Sequence, residues 1–204
     1  MKNYICVNGQ KIELTEEQVK QICAARDQEK IKLAEIPEGD TFKIGVHEFV
    51  VLEHSGDTTA VIRKKLLDED MEFGSNNNFS GSYVAAKCDE FADEIAGNVG
   101  AENVVEHTVD LISDDGLKDY GIVKRRCSLL TTNQYRRYVE ILDKFKPDSW
   151  WWLATAYSTE RHGNSSLAKC VSPAGDVSGD YYDDSNGVRP FCILKSSIFV
   201  SSEN

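Results

Sequence analysis

Hydrophobic positions recur with period two over residues 4–14 and 41–63, and with a helical period over residues 82–99 and 131–146. In the first stretch Asn8-Gly9 is a type I′ turn signal, because both central residues must accept positive φ. A hairpin turning there sets Ile5 opposite Ile12 and Val7 opposite Gln10, with Ile5, Val7, Ile12 and Leu14 on one face. A helix is expected at once, with Thr15 and Gln18 as a capping box and Leu14 with Val19 as a hydrophobic staple. Val19, Ile22 and Cys23 would be its apolar stripe, and Arg26 to Lys30 a charged connector. So small a unit cannot bury enough surface to stand alone. It must pack on the main body or on a second copy of itself.

In the second stretch Phe42 and Ile44, Phe49 and Val51, then Ala60 and Ile62 alternate, with turns at Gly45 and Ser55-Gly56-Asp57. That pattern predicts an antiparallel meander. The run from Asp68 to Asn78 is acidic, then Asn-rich, and reads as a loop. It lacks the ligand order of an EF-hand, so its acids read as solvated rather than as a calcium site. Val84, Cys88, Phe91, Ile95 and Val99 predict an amphipathic helix over residues 82–99. Ser113 to Gly116 is a turn. Thr131 with Gln134 forms a second capping box, and Tyr135, Tyr138, Val139, Leu142 and Phe145 share the face of a helix that Pro147 stops. Helices grouped between strand runs indicate an α+β class. The expected division is a hairpin-helix arm of residues 1–35 and a main domain of residues 36–204.

The last third has another character. Trp150-Trp151-Trp152-Leu153 and Phe191-Cys192-Ile193-Leu194 frame a 31-residue insert, residues 157–187, in which 19 residues are Tyr, Ser, Gly, Asn or Asp. Tyrosine gives contact area at low entropy cost while Ser, Gly and Asn give adaptable hydrogen bonds, as in an antibody paratope. Binding residues favour loops on a stiff frame. The alternatives are a displayed binding face and a plain polar surface loop. Strand alternation predicts Trp150 and Trp152 on the buried face and Trp151 on the other. Arg189, between Val188 and Pro190, is expected to be structural, its guanidinium answering several loop carbonyls.

Charge and cysteine content narrow the classes. A net charge of -11 argues against general nucleic-acid binding, since phosphate affinity comes mainly from Lys and Arg. No window approaches the roughly 20 apolar residues of a membrane span. The N-terminus has no signal-peptide core, so a protein cytoplasmic when made is expected. Six scattered cysteines without a CxxC pair argue against zinc and suggest reduced thiols, Cys170 and Cys192 among them as core residues. No metal or cofactor is expected. His162 with Cys170 suggests a nucleophile pair, but no oxyanion-hole signature accompanies it. Lys124-Arg125-Arg126 reads as a solvated strand edge.

The pairing of Trp150-Trp151-Trp152-Leu153 with Gly187-Val188-Arg189-Pro190-Phe191 resembles a bacterial and phage domain with a C-type-lectin-like fold, over about residues 40–200. The closer relatives are the variable proteins of diversity-generating retroelements, and the formylglycine-generating enzymes resemble it more distantly. The resemblance implies a C-type-lectin-like fold and a non-enzymatic, virion-borne, receptor-binding role toward a protein or glycan surface. By position it implies a face of Tyr157, Ser158, Thr159, Arg161, His162, Asn164, Ser165, Ser166, Asp176, Ser178, Asp180, Tyr181, Tyr182, Asp183, Asp184 and Ser185, mounted on Trp150, Trp152 and Arg189. Neither a Glu-Pro-Asn nor a Trp-Asn-Asp triplet is present, so calcium-dependent sugar binding is not expected. An oxidase of the formylglycine-generating type is the rival reading, and the 22 residues between Cys170 and Cys192 speak against its copper-binding pair. A phage assembly protein that oligomerises through residues 1–30 is the third.

Overall fold

A computed structural model describes residues 3–7, 10–18 and 30–202. In it β1 (Asn3–Val7) pairs with β2 (Gln10–Leu14), Ile5 opposite Ile12 and Val7 opposite Gln10. The Thr15 amide donates to Gln18 Oε1 at 3.0 Å and the Gln18 amide to Thr15 Oγ1 at 3.2 Å, which closes the first capping box. The Asn8-Gly9 turn, the stripe Val19, Ile22 and Cys23, and residues 26–29 of the connector lie outside the described residues.

The main sheet takes in β3 (Lys30–Lys32), and Leu33 after it is fully buried in the core. The meander follows as β4 (Thr41–Ile44), β5 (His47–Ser55) and β6 (Thr58–Arg63). It reverses at Gly45 and Gly56, whose φ values of 59° and 60° lie where a side chain is disfavoured. Next come β7 (Met71–Glu72), α1 (Tyr83–Val99), β8 (Val104–Val105), β9 (His107–Asp110), β10 (Ile122–Arg125), β11 (Cys127–Ser128) and α2 (Thr132–Leu142). The chain closes with β12 (Trp151–Ala156), β13 (Leu167–Val171), β14 (Val177–Tyr181), β15 (Ser185–Asn186), β16 (Phe191–Lys195) and β17 (Phe199–Ser202).

One curled antiparallel sheet of eight strands organises these pieces, in the order β11-β16-β6-β5-β4-β17-β3, with β8 also on β16. Strands β12, β13 and β14 form a second sheet; β9 with β10 and β7 with β15 make two ribbons. The large sheet is covered on both sides. Phe42, Phe49, Val51 and Val61 meet α1, with the Phe49 and Phe91 rings 6.0 Å apart. Val50, Leu52 and Ile62 join α2 and Trp151 on the other side. Strands buried on both faces need not alternate, and β5 accordingly runs Phe49-Val50-Val51-Leu52 without a polar break. Each helix is capped from its own sequence. Ser82 accepts from the Ala85 amide, and Thr131 with Gln134 makes a reciprocal box.

Four expectations need correction. The α+β, C-type-lectin-like class is overturned: strands hold 38% of residues and helices 25%, on a mainly antiparallel β framework. Two-residue strands such as β7, β8, β11 and β15 carry no periodicity to read. The insert is not a loop, since β13, β14 and β15 lie within residues 157–187. The tryptophans do not alternate as expected. Trp150 is 40% exposed, whereas Trp151 and Trp152 are both buried. β12 runs between two cores, with Trp151 edge-on to Tyr135 at 5.8 Å and Trp152 edge-on to Phe73 at 5.4 Å. Finally, Cys192 is not a thiol. It forms a disulfide with Cys127, its partner across β11 and β16. Residues 65 apart in sequence meet only through strand register, which spacing does not reveal.

Candidate functional site

The second sheet builds the candidate face. Ala156 stands opposite Ala168, and Ala168 opposite Asp180. One step outward, the Tyr157 amide donates to the Leu167 carbonyl at 2.9 Å, and Leu167 stands opposite Tyr181. Tyr157, Leu167 and Tyr181 therefore form one row across three strands, on one face, because directly paired residues share a face. Tyr157 is 43% exposed and Tyr181 56%. Behind the row, Lys169 stands opposite Gly179 on the same face. The missing side chain leaves room for Tyr157, whose Cδ2 lies 3.6 Å from where a Cβ on Gly179 would be. The Lys169 ammonium sits 5.4 Å from the Tyr157 ring centroid and pairs with Asp114 at 3.2 Å. A cation against the ring holds the tyrosine without covering its outer side.

A polar mount fixes the loop between β12 and β13. Ser158 and Thr159 are buried, and both are spent on the loop that leads into β10. Asp115 accepts from Ser113 Oγ at 2.5 Å, Ser158 Oγ at 2.6 Å and His162 Nδ1 at 2.9 Å. The Ser113 and Ser158 hydroxyls, then His162, hold its carboxyl well below the usual carboxylate range. Asp119 accepts from Thr159 Oγ1 at 2.6 Å and from the Arg161 guanidinium. Asn77, fully buried, donates to the carbonyls of Ser158 at 3.0 Å and Leu167 at 2.8 Å. It accepts from the Tyr120 hydroxyl at 2.6 Å. Ser165 donates to Glu160 at 2.7 Å, and Ser166 to Asn164 at 3.2 Å.

The sixteen residues inferred by position do not form one face. Tyr157, Arg161, His162, Asn164, Ser165, Ser166 and Tyr181 gather at one end of the small sheet, with Asp183 and Asp184 in the turn beyond Tyr181 and Ser185 at the start of β15. Ser158 and Thr159 belong to the mount. Tyr182 is half-buried against the main core, so it is not displayed beside Tyr181. Asp176 lies at the far end of β14, its amide on Ser172 Oγ at 3.1 Å. Ser178 and Asp180 alternate onto the opposite face, where Asp180 accepts from Asn186 at 2.9 Å. A side-chain hydrogen bond to Asp180, which the protonated Asp184 carboxyl donates, together with the Asp180 charge raises the Asp184 pKa. Sequence reasoning missed Asn77, Asp114, Asp115, Asp119, Tyr120 and Lys169. They come from distant segments, and only the turn at Ser113 to Gly116 hinted at any of them.

No nucleophile pair is assembled. The His162 ring is turned to Asp115 at the surface, while Cys170 is buried and its thiol is pushed up to about 12 by burial. Among the described residues no group of three or more His, Cys, Asp or Glu is placed to hold a metal ion. Arg189 is buried and donates to the carbonyls of Arg63, Lys64 and Phe145 at 3.0, 3.1 and 3.0 Å, stacked over Trp151 at 5.3 Å. Burial pulls its pKa down to about 10, so it stays charged at neutral pH.

No curated protein and no solved structure matches the chain. Residues 59–196 match a family described as a domain of unknown function, DUF6273. That span is more than half of the chain and contains the aromatic row, the polar mount and Arg189. The chain belongs to the DUF6273 domain family.

Proposed function

We propose that this is a non-enzymatic binding protein that engages a protein or glycan surface through the row Tyr157, Leu167 and Tyr181 and the loop beside it. The observation that carries the reading is two exposed tyrosines on either side of Leu167 on β13, backed by a buried cation and a polar mount. Large aromatics left in solvent at a stiff site supply contact area with little entropy to lose. Arg161 and His162, exposed beside the row, add charge and hydrogen-bond donors. Most loop hydroxyls are already satisfied internally, so the loop presents a fixed shape rather than an adaptable one.

The test is binding to an immobilised panel of oligosaccharides and purified cell-surface proteins, with wild type and the Tyr157→Ala, Tyr181→Ala variant side by side. The variant should bind about tenfold more weakly or worse, as for loss of an aromatic anchor, with its melting temperature nearly unchanged. Equal binding by both proteins would sink the reading. So would a collapse in melting temperature, which would make the tyrosines part of the core.

A further inference from the structure

A second site lies away from that face. In a chain of net charge -11, four lysines meet around one open cleft of about 520 Å³. Lys64 and Lys65 line it from the chain after β6, Lys144 and Lys146 from the chain after α2, with Leu66 and Phe145 as apolar lining and Asp148 as the one carboxylate of the lining. Lys64 is paired with Glu48, and Lys146 with Asp143 at 3.2 Å and the Ala174 carbonyl at 2.9 Å. Lys65 and Lys144 are exposed and have no carboxylate partner among the described residues.

The walls are fixed. Arg189 bonds to the Lys64 carbonyl on one side and the Phe145 carbonyl on the other, which ties the end of β6 to the end of α2. Arg63 donates to the carbonyls of Lys65 at 3.0 Å and of Leu66. Carbonyls at a helix C-terminus repel anions, but here Arg189 takes the Phe145 carbonyl, and four lysines outnumber Asp148, the one carboxylate of the lining. Arg189 is spent on backbone carbonyls and Arg63 on the Lys65 and Leu66 carbonyls and the His47 ring, so neither guanidinium is paired there with a carboxylate among the described residues. What remains is compact ammonium charge beside an apolar wall. Lysine suits the spread charge of a phosphate as a point charge, and Leu66 and Phe145 suit a flat apolar group. The volume is that of a small-molecule site.

We infer that this cleft binds a small organic phosphate of mononucleotide size, its phosphate between Lys65 and Lys144 and its apolar part on Leu66 and Phe145. Trp150 gives a reporter. It follows Ser149 of the cleft wall and is exposed, whereas Trp151 and Trp152 are buried.

The experiment is titration with ADP, pyrophosphate and adenosine, followed by tryptophan fluorescence and calorimetry. The proteins are wild type, Lys65→Glu with Lys144→Glu, and a control of equal charge, Lys11→Glu with Lys118→Glu. ADP should saturate at one site and weaken as salt rises. The cleft variant should lose about tenfold in affinity, the worth of two exposed charge contacts, and the control should not. Adenosine should bind far more weakly than ADP. Absence of saturation, or equal loss in variant and control, overturns the site. Pyrophosphate binding as tightly as ADP overturns the apolar half of the assignment.

Discussion

His107 is a buried residue with a simple pH signature. Its Nε2 lies 2.9 Å from Ser128 Oγ, and the ring meets Phe191 edge-on at 5.2 Å. Burial pulls its pKa down to about 4, from about 6.5 when free. Between those values the unfolded chain holds the proton and the folded one does not, so stability rises with pH there. The contribution is full above about pH 6.5 and is lost as pH falls toward 4, at up to about 3 kcal/mol. Denaturation of wild type and His107→Gln at pH 4.5 and 7.5 checks this. The variant should show the shallower dependence, and equal slopes would refute the assignment. Arg189 is the second case. A lysine there reaches fewer carbonyls than the three now served. Arg189→Lys should cost about 2–4 kcal/mol, because buried acceptors lose charged donors. Its melting temperature should fall by roughly 5–15 °C in a domain of this size; a change within error would mean that water replaces those bonds. The structural part of Arg189 could be argued from sequence because a guanidinium in a closing strand needs several acceptors wherever it lies. Asn77 could not, since its partners are 43 to 90 residues away.

At the scale of elements, local chemistry was legible and register was not. The capping boxes at Thr15 and Thr131, the hairpin of β1 and β2, the meander and both helices all follow from residues close in sequence. Thr131→Ala removes one half of the second box and should cost about 1 kcal/mol, read as a drop of roughly 2–4 °C in melting temperature. The disulfide between β11 and β16 follows from pairing alone. It closes a 65-residue separation, so reduction should destabilise the protein by up to about 4 kcal/mol if loop entropy dominates. Melting with and without a reductant measures it, and thiol counting of the unreduced, unfolded chain would expose any error by finding Cys127 and Cys192 reactive. The loop between β12 and β13 is held chiefly by Asp115, Asp119 and Asn77. Replacing both aspartates by alanine should speed amide exchange across residues 158–166 while leaving α1 and α2 protected. Unchanged exchange there would mean that the backbone bonds alone fix the loop.

For the whole molecule, the curled sheet with one helix on each side explains why a polar insert can be rigid. β12 is sandwiched between two cores and carries β13 and β14 outward as an extension of that framework. The expected lectin-like arrangement failed because helices announce themselves by period while short, doubly covered strands do not. The sixteen residues expected to form one face are spread over different surroundings. Composition located residues 157–185 as unusual, but alternation along β14 and burial of Ser158, Thr159 and Tyr182 divide that stretch among three surroundings. The binding strip we propose is therefore narrower than the whole insert: Tyr157, Leu167 and Tyr181 with the charged loop beside it.

Side-chain footprinting by hydroxyl radicals, with and without a ligand found in the binding panel, tests that strip in the unaltered protein. Tyr157, Leu167 and Tyr181 should gain protection while Tyr83 and Trp150, exposed elsewhere, react as before. Protection at Trp150 or Tyr83 with the row still reactive would contradict the account.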